Sequence, residues 1–385
     1  MDFLNDFVQA TDHLPSPRVF RWWAGVACVA SVLGRDTYTA LIKNEPLYPN
    51  HFIVLVADAA GGKSWAINKA MKLMHGFGQV AFSGDAPTPE ALNKKMGGKG
   101  GWFDGSDDAK GRSFNLLAPE ITTLLPDPEQ RWWFQELAVL WDCPEVFERP
   151  TKTQGVDVIQ NPYVNLLAGA QPYFFAEGLP KNINELGLPS RMIYVFSDEE
   201  FEIDYDAQPD EAAMARAYKN LARIARVNKY CPMEPEAMEA FKAWERGGRL
   251  PSVPGVGLSK AYSTRRNMHL GKLALIVAMS RHPERTVITR EDLEIAMAEL
   301  FATEKEMHKA MALAGGNAYL PKERAVVQFV VEQYERSHKP VSEGDVRGMA
   351  ARFFTPNMRT TVIDDLVAQK LLRRVVGGFI PGGNA

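Results

Sequence analysis

Phe52-Ile53-Val54-Leu55-Val56 is an unbroken apolar run, bounded ahead by the turn signal Tyr48-Pro49-Asn50 and behind by small residues leading to Lys63-Ser64. A short run without polar alternation predicts a strand covered on both faces, as in the middle of a parallel sheet. Four more runs read the same way, Gln79 to Ser83, Ser113 to Ala118, Tyr163 to Ala168 and Met192 to Phe196, separated by helical or loop sequence. Strands alternating with helices predict an α/β domain on a parallel sheet. Upstream, Phe20 to Leu33 carries apolar residues at wide helical periodicity and predicts a helical N-terminal collar. Downstream the period becomes helical over Glu211 to Val227, Glu234 to Glu245, Arg265 to Met279 and Arg290 to Ala312, the last behind a capped start at Thr289. After Gly315-Gly316 come helical patterns at Arg324 to Tyr334, Ser342 to Arg352 and Thr360 to Gln369, then an apolar hairpin from Leu371 to Ile380 turning at Gly377-Gly378. Three helices and a hairpin predict a winged helix. The expected partition is a helical N-terminal region over 1–48, an α/β core over 49–205, a helical lid over 206–316 and a winged helix over 317–385. Asp198 to Glu211, with eight carboxylates and no basic residue, reads as a solvated linker between core and lid.

Composition narrows the function classes. The 385 residues, 46% hydrophobic and 24% charged, suffice for a central domain with attachments and contain no low-complexity tract. The apolar stretches 22–33 and 52–57 are too short to span a bilayer, and the N-terminus lacks a signal-peptide pattern, so a cytoplasmic location without a membrane partner is expected. Cys28, Cys143 and Cys231 stand far apart with no CxxC pair, which argues against a zinc site or a disulfide framework and predicts buried thiols. A net charge of −3 excludes a bulk polycation, so nucleic acid would have to meet local patches. The basic part is Lys322 to Ala385, with ten Lys/Arg against seven Asp/Glu.

The segment Ala57-Asp58-Ala59-Ala60-Gly61-Gly62-Lys63-Ser64 fits the phosphate-cradling pattern GxxxxGK[ST] except that Ala57 stands in place of its first glycine. Backbone N–H groups of Ala59, Ala60, Gly61, Gly62, Lys63 and Ser64 would surround phosphates, with Trp65 following on the helix start. Lys63 would reach the β/γ oxygens and Ser64 would ligate magnesium, so ATP and Mg2+ are the expected ligands. The third strand runs into Pro119-Glu120, and a buried strand ending on a carboxylate suits both the metal and water activation. Glu120 is therefore expected as catalytic base and, with Ser64, as metal ligand, unless it only caps the turn; Pro119 occupies the place of the usual second carboxylate. The fourth strand leads into Gly169-Ala170-Gln171-Pro172, which puts Gln171 beside the first and third strands at their carboxyl ends, where open α/β sheets bind ligands. Gln171 is expected to sense the γ-phosphate or to serve as a turn amide. Before the fifth strand, Arg191 in Gly187-Leu188-Pro189-Ser190-Arg191 offers a planar guanidinium to transferred phosphoryl charge, or an ion pair to the acidic stretch.

Leu47-Tyr48-Pro49-Asn50, Thr88-Pro89-Glu90-Ala91-Leu92, Pro119-Glu120, Gly169 to Pro172 and Gly187 to Arg191 occur in an order that resembles the ATPase module of phage and prophage primase-helicases, over residues 15–312. That family is similar to ring-forming AAA+ and superfamily 3 helicases. The resemblance implies a P-loop NTPase with an AAA+/RecA-like parallel sheet, helical collar, helical lid and C-terminal winged helix. It implies a hexameric motor in which Arg191 acts in trans and in which Arg265 or Arg266, opening a lid helix, contacts phosphate. An ATPase without primase activity is what it leads us to expect.

Two basic loops, Lys94 to Trp102 and Arg149 to Gly155, are candidates to line a pore, with Lys95, Lys99 and Lys152 tracking phosphates and Trp102 stacking on a base. In the tail, Arg359, Arg373 and Arg374 sit on the expected third helix and wing, the parts of a winged helix that meet DNA. The expected function is an ATP-dependent DNA motor, a hexameric phage-type replicative helicase on single-stranded DNA, partnered by itself and by other replication proteins. A nucleotide-switched initiator or helicase loader with weak ATPase is the alternative that Ala57 and Pro119 favour. A small-molecule phosphotransferase would need neither lid, winged helix nor Arg191.

Overall fold

The computed structural model describes residues 2–84, 88–97, 101–106, 111–125, 131–151, 155–172, 174, 187–201, 203–253, 258–314, 320–354, 356–368 and 371–382. Two units divide the chain, Met1–Gly315 and Gly316–Ala385.

In the first unit helices α1 (Phe3–Ala10) and α2 (Arg18–Leu33) precede a hairpin, β1 (Thr39–Ile42) and β2 (Glu45–Leu47). Then follow β3 (Phe52–Val56), α3 (Lys63–Met74), β4 (Val80–Phe82), α4 (Pro89–Met96), β5 (Ser113–Ala118) and α5 (Arg131–Trp141). A second hairpin, β6 (Val146–Thr151) and β7 (Gly155–Gln160), stands before β8 (Val164–Ala170) and β9 (Met192–Phe196). All five runs predicted as strands join one parallel sheet in the order β4-β5-β8-β3-β9. The fourth of them, β8, lies between the first and third, as expected. Every residue of β3, β5 and β8 is buried, which is why these strands show no polar alternation.

Helix α2 is apolar nearly all round because it is buried nearly all round: it packs on α1, α3 and the sheet. The indole N–H of Trp23 on α2 donates to Thr303 Oγ1 at 2.8 Å, tying this expected collar to a distant helix. Beyond the sheet come α6 (Glu211–Ile224), α7 (Pro235–Arg246), α8 (Leu258–Arg281) and α9 (Arg290–Ala314). The sequence places a helix start at Arg265, but α8 begins at Leu258, so Arg265 and Arg266 sit well inside it. The added turns are held by Tyr262, which is buried and donates to Glu304 on α9 at 2.9 Å. All three cysteines are buried and free.

The second unit holds α10 (Leu320–Ser337), α11 (Glu343–Ala350), α12 (Pro356–Ala368) and an antiparallel hairpin, β10 (Leu372–Val375) and β11 (Gly378–Pro381). Val326, Val330, Val346, Phe354, Ile363, Leu366, Leu372 and Phe379 form its own core. No helix among the described residues is long and apolar enough to cross a membrane.

Candidate functional site

At the carboxyl end of β3 the chain turns sharply into α3. Ala57 N–H extends the ladder to Ala170 O at 3.3 Å, and the loop closes on itself through Gly61 N–H to Asp58 O at 3.1 Å and Gly62 N–H to Ala60 O at 2.9 Å. Gly62 precedes the helix with φ 79°, and a Cβ there would lie 2.7 Å from Pro15 O and from Ser16 Cα. Only glycine lets the loop press against the 15–17 segment in that conformation. Asp58, Ala59, Ala60, Ser64 and Trp65 are exposed, Trp65 by 53%.

Lys63 is the unusual member. It is 5% exposed, and its Nζ donates to Ala57 O and Asp58 O, both at 2.8 Å. Burial pulls its pKa down, and the charges of Glu120 and Asp58 oppose that shift. A cation at the first position of a helix is disfavoured by the macrodipole, and this one makes no ion pair among the described residues.

Glu120 and Gln171 follow β5 and β8, where β8 pairs with β3 and β5 lies on the other side of β8, and Gln171 Nε2 lies 3.5 Å from Glu120 Oε1. Gly169 brings these segments together, since a Cβ there would come 2.2 Å from Pro119 O and 3.5 Å from Lys63 Cβ. Lys63, Glu120 and Gln171 thus gather at the carboxyl ends of three adjacent parallel strands, as the sequence places them. The open helix N-terminus and Lys63 suit a polyphosphate, and Ser64 with the single carboxylate Glu120 suits a magnesium ion that keeps most of its waters and takes phosphate oxygens.

Residues not singled out in the sequence flank this loop. A cavity of about 650 Å³ opens between the 9–16 segment and the acidic stretch, lined by Gln9, Asp12, His13, Ser16, Phe201 and Asp210 among others. Ser16 Oγ and His13 Nδ1 are buried without a hydrogen-bond partner among the described residues. The one signal for them is Pro15-Ser16-Pro17, a stiff run before a helix.

The arginines lie elsewhere. Arg191 precedes β9 at the opposite end of the sheet, level with the start of β3 and roughly 20 Å along the strands from the loop. Its ion pair is within the unit but with Asp142, not with the acidic stretch, which begins beyond the far end of β9. Arg265 also approaches Asp142, at 3.8 Å, so it stands away from this chain's own loop. Arg266 is closed off: it is 2% exposed, bonded to Glu304 and to the carbonyls of Arg249 and Pro251, and flanked by the Trp244 and Phe301 rings. A buried guanidinium so fully paired is a structural tie, and of the two expected phosphate contacts Arg265 is the more exposed.

Of the expected DNA contacts, Lys99 and Lys152 lie outside the described residues. Lys95 Nζ donates to Phe82 O at 2.6 Å. Trp102 is not an open stacking platform, because its N–H donates to Ser113 O at 2.9 Å and Arg112 lies 4.8 Å over its ring. The second basic loop is in fact a hairpin whose last pair is Thr151 with Gly155. In the second unit Arg359 Nε donates to Phe354 O at 3.0 Å, Arg374 pairs with Asp364 at 3.3 Å, and Arg373 is exposed on β10.

No protein-family model matches this chain, and no curated protein matches it either.

Proposed function

We propose that the protein is an ATP-driven DNA motor, a ring-forming P-loop ATPase that moves on single-stranded DNA. The observation that carries this reading is the buried Lys63 at the start of α3, without an ion pair among the described residues and close enough to feel the charge of Glu120, which Gln171 approaches from the strand between. In this reading backbone N–H groups of Ala59 to Ser64 and the Lys63 ammonium hold the phosphates, and the ammonium leaves its loop carbonyls to do so. Bound ATP would supply the phosphoanhydride, and Ser64 and Glu120 would hold an Mg2+ ion whose charge would offset that of the phosphates. Glu120 orients and deprotonates the attacking water, Gln171 links that carboxylate to the fourth strand, and the cavity beside Ser16 receives the nucleoside. Arg191 cannot reach this chain's own loop, so a phosphate it serves belongs to a second copy, which supports a ring; six copies follow from the family resemblance.

DNA contact rests on two features, the hairpin β6–β7, with the basic residue Arg149 on β6, and the basic second unit, read as a winged helix with Arg373 and Arg374 on its wing. The alternative, a nucleotide-switched initiator or loader, is favoured by Ala57 and Pro119 at two positions that usually assist turnover. Steady-state ATP hydrolysis with and without single-stranded DNA tests both, on wild type, Lys63→Ala and Arg191→Ala. DNA-stimulated turnover lost in both variants is expected. ATP binding without turnover would favour the switch, and turnover indifferent to DNA would overturn the motor.

A further inference from the structure

Charge that the loop 57–64 does not use is concentrated at the amino ends of β3, β8 and β9. Arg265, His269 and Lys272 share one face of α8 at spacings of four and three residues. Lys272 is buried, donates to Asn50 Oδ1 at 2.7 Å and Asn50 O at 3.2 Å, and lies 3.6 Å over the Trp141 ring. His269 Nε2 lies 3.1 Å from Ser190 O, next to Arg191. Asp142, directly after Trp141, takes Arg191 Nη2 on one oxygen at 2.5 Å and Arg191 Nε on the other at 3.4 Å, the oxygen that Arg265 Nη1 approaches at 3.8 Å. Two guanidiniums therefore face one carboxylate among the described residues. That carboxylate is the outermost of the ion-paired groups, its side chain 41% exposed against 10% for Arg191 and 30% for Arg265. Two guanidiniums sharing the oxygens of one anion form a ready phosphate site.

We propose that Asp142 is an internal stand-in for phosphate, closing a two-arginine anion site built by Arg191 and Arg265 until a second copy of the chain presents the nucleotide phosphate held by its own 57–64 loop. The proposal rests on the motor reading for the source of the phosphate, and it adds a brake to it. In the separate chain the guanidiniums are occupied by Asp142. On assembly a phosphate, with more charge and more acceptor oxygens, displaces the carboxylate from the end of α5 toward solvent. Lys272 and His269 act as positioning residues, holding the Trp141 and Ser190 backbone so that the arginines stay in place while Asp142 moves.

The test uses the full chain with inorganic phosphate as probe. Asp142→Asn keeps the side-chain size and removes the charge. Thermal melts across a phosphate titration, at protein concentrations where the chain is monomeric, should show Asp142→Asn stabilised at several-fold lower phosphate than wild type. Adding Arg265→Ala to that variant should abolish the gain. In ATP hydrolysis, Asp142→Asn should reach half-maximal rate at lower protein concentration. A folded Asp142→Asn with the wild-type phosphate response overturns the proposal. Should that variant melt without cooperativity, Arg265→Ala alone decides: maximal ATP hydrolysis falls on the order of tenfold or more if Arg265 serves a phosphate, and an unchanged rate overturns it. A wild type that never hydrolyses ATP refutes the motor but leaves the phosphate titration to judge the brake.

Discussion

His51 and His269 show how burial of single residues sets the behaviour of this protein with pH. Both are buried, and burial first, with nearby Lys272 adding to it, pushes each pKa down to about 3 from 6.5. The folded chain keeps them neutral while the unfolded chain takes up protons below pH 6.5, so the stability they allow is complete above that pH and lost as pH falls toward 3. With both uncharged in the fold, the unfolding free energy should drop by up to about 2.7 kcal/mol per pH unit. Urea midpoints between pH 7 and 5, read by tryptophan fluorescence, should show that slope, and His269→Gln should cut it by about half; a flat profile would mean that the fold protonates them freely. Lys272 works at the other end of the scale. Burial lowers it to about 8, so stability should climb as pH rises from 8 toward 10.5, and Lys272→Met should remove the climb. None of this was legible in the sequence, because the partners of Lys272 lie 131 and 222 residues away. Glu120 and Gln171 were legible because each comes within two residues of an apolar run, and Lys63 because its Gly-Gly-Lys-Ser loop leaves one; the end of a strand fixes a residue's place.

At the scale of elements, the strands that could be read were those buried on both faces, where composition alone identifies them. The hairpin β6–β7 escaped because its outward positions, Val146 and Val156 among them, are half-exposed and its charges suggest a loop. Arg149 fastens that hairpin to α5, pairing with Glu136 at 3.2 Å and lying 4.3 Å over the Trp132 ring. Helix α8 was read short because its first turns are stabilised by α9 rather than by their own pattern. Tyr262 ties those turns to Glu304, and just past them Arg266 pairs with the same Glu304, both 2% exposed in their side chains. Burial raises the Glu304 pKa, and the hydrogen bonds from Arg266 and Tyr262 oppose the shift. Arg266→Ala should cost about 3–5 kcal/mol, since it leaves a carboxylate buried beside Tyr262 alone, whereas Arg266→Met with Glu304→Leu should cost far less. Urea unfolding of the two variants decides; equal losses would show that Arg266 acts through packing against Trp244 and Phe301 rather than through the charge pair.

For the whole molecule the decisive feature is that each unit buries a core of its own. The sequence marks the junction with Gly315-Gly316 because two glycines in a row after a long helical pattern favour neither helix nor strand. A chain ending at Gly315 should therefore unfold cooperatively and still bind ATP, because Lys63, Glu120, Gln171 and the 9–16 segment all precede the cut. All eight tryptophans precede it as well, so intrinsic fluorescence follows the first unit in both the truncated and the full chain, and the urea transition seen this way should nearly coincide. DNA binding should respond differently. The second unit carries net positive charge in a chain of net −3, so its removal should weaken DNA binding and flatten its dependence on salt. Arg373→Ala with Arg374→Ala in the full chain should reproduce part of that loss, lowering the salt slope by about one per phosphate contact removed. Unaltered DNA affinity after truncation would move the whole interaction to the first unit. The hairpin β6–β7 would then be the element to substitute, and the second unit would be a protein-docking module rather than a DNA-binding one.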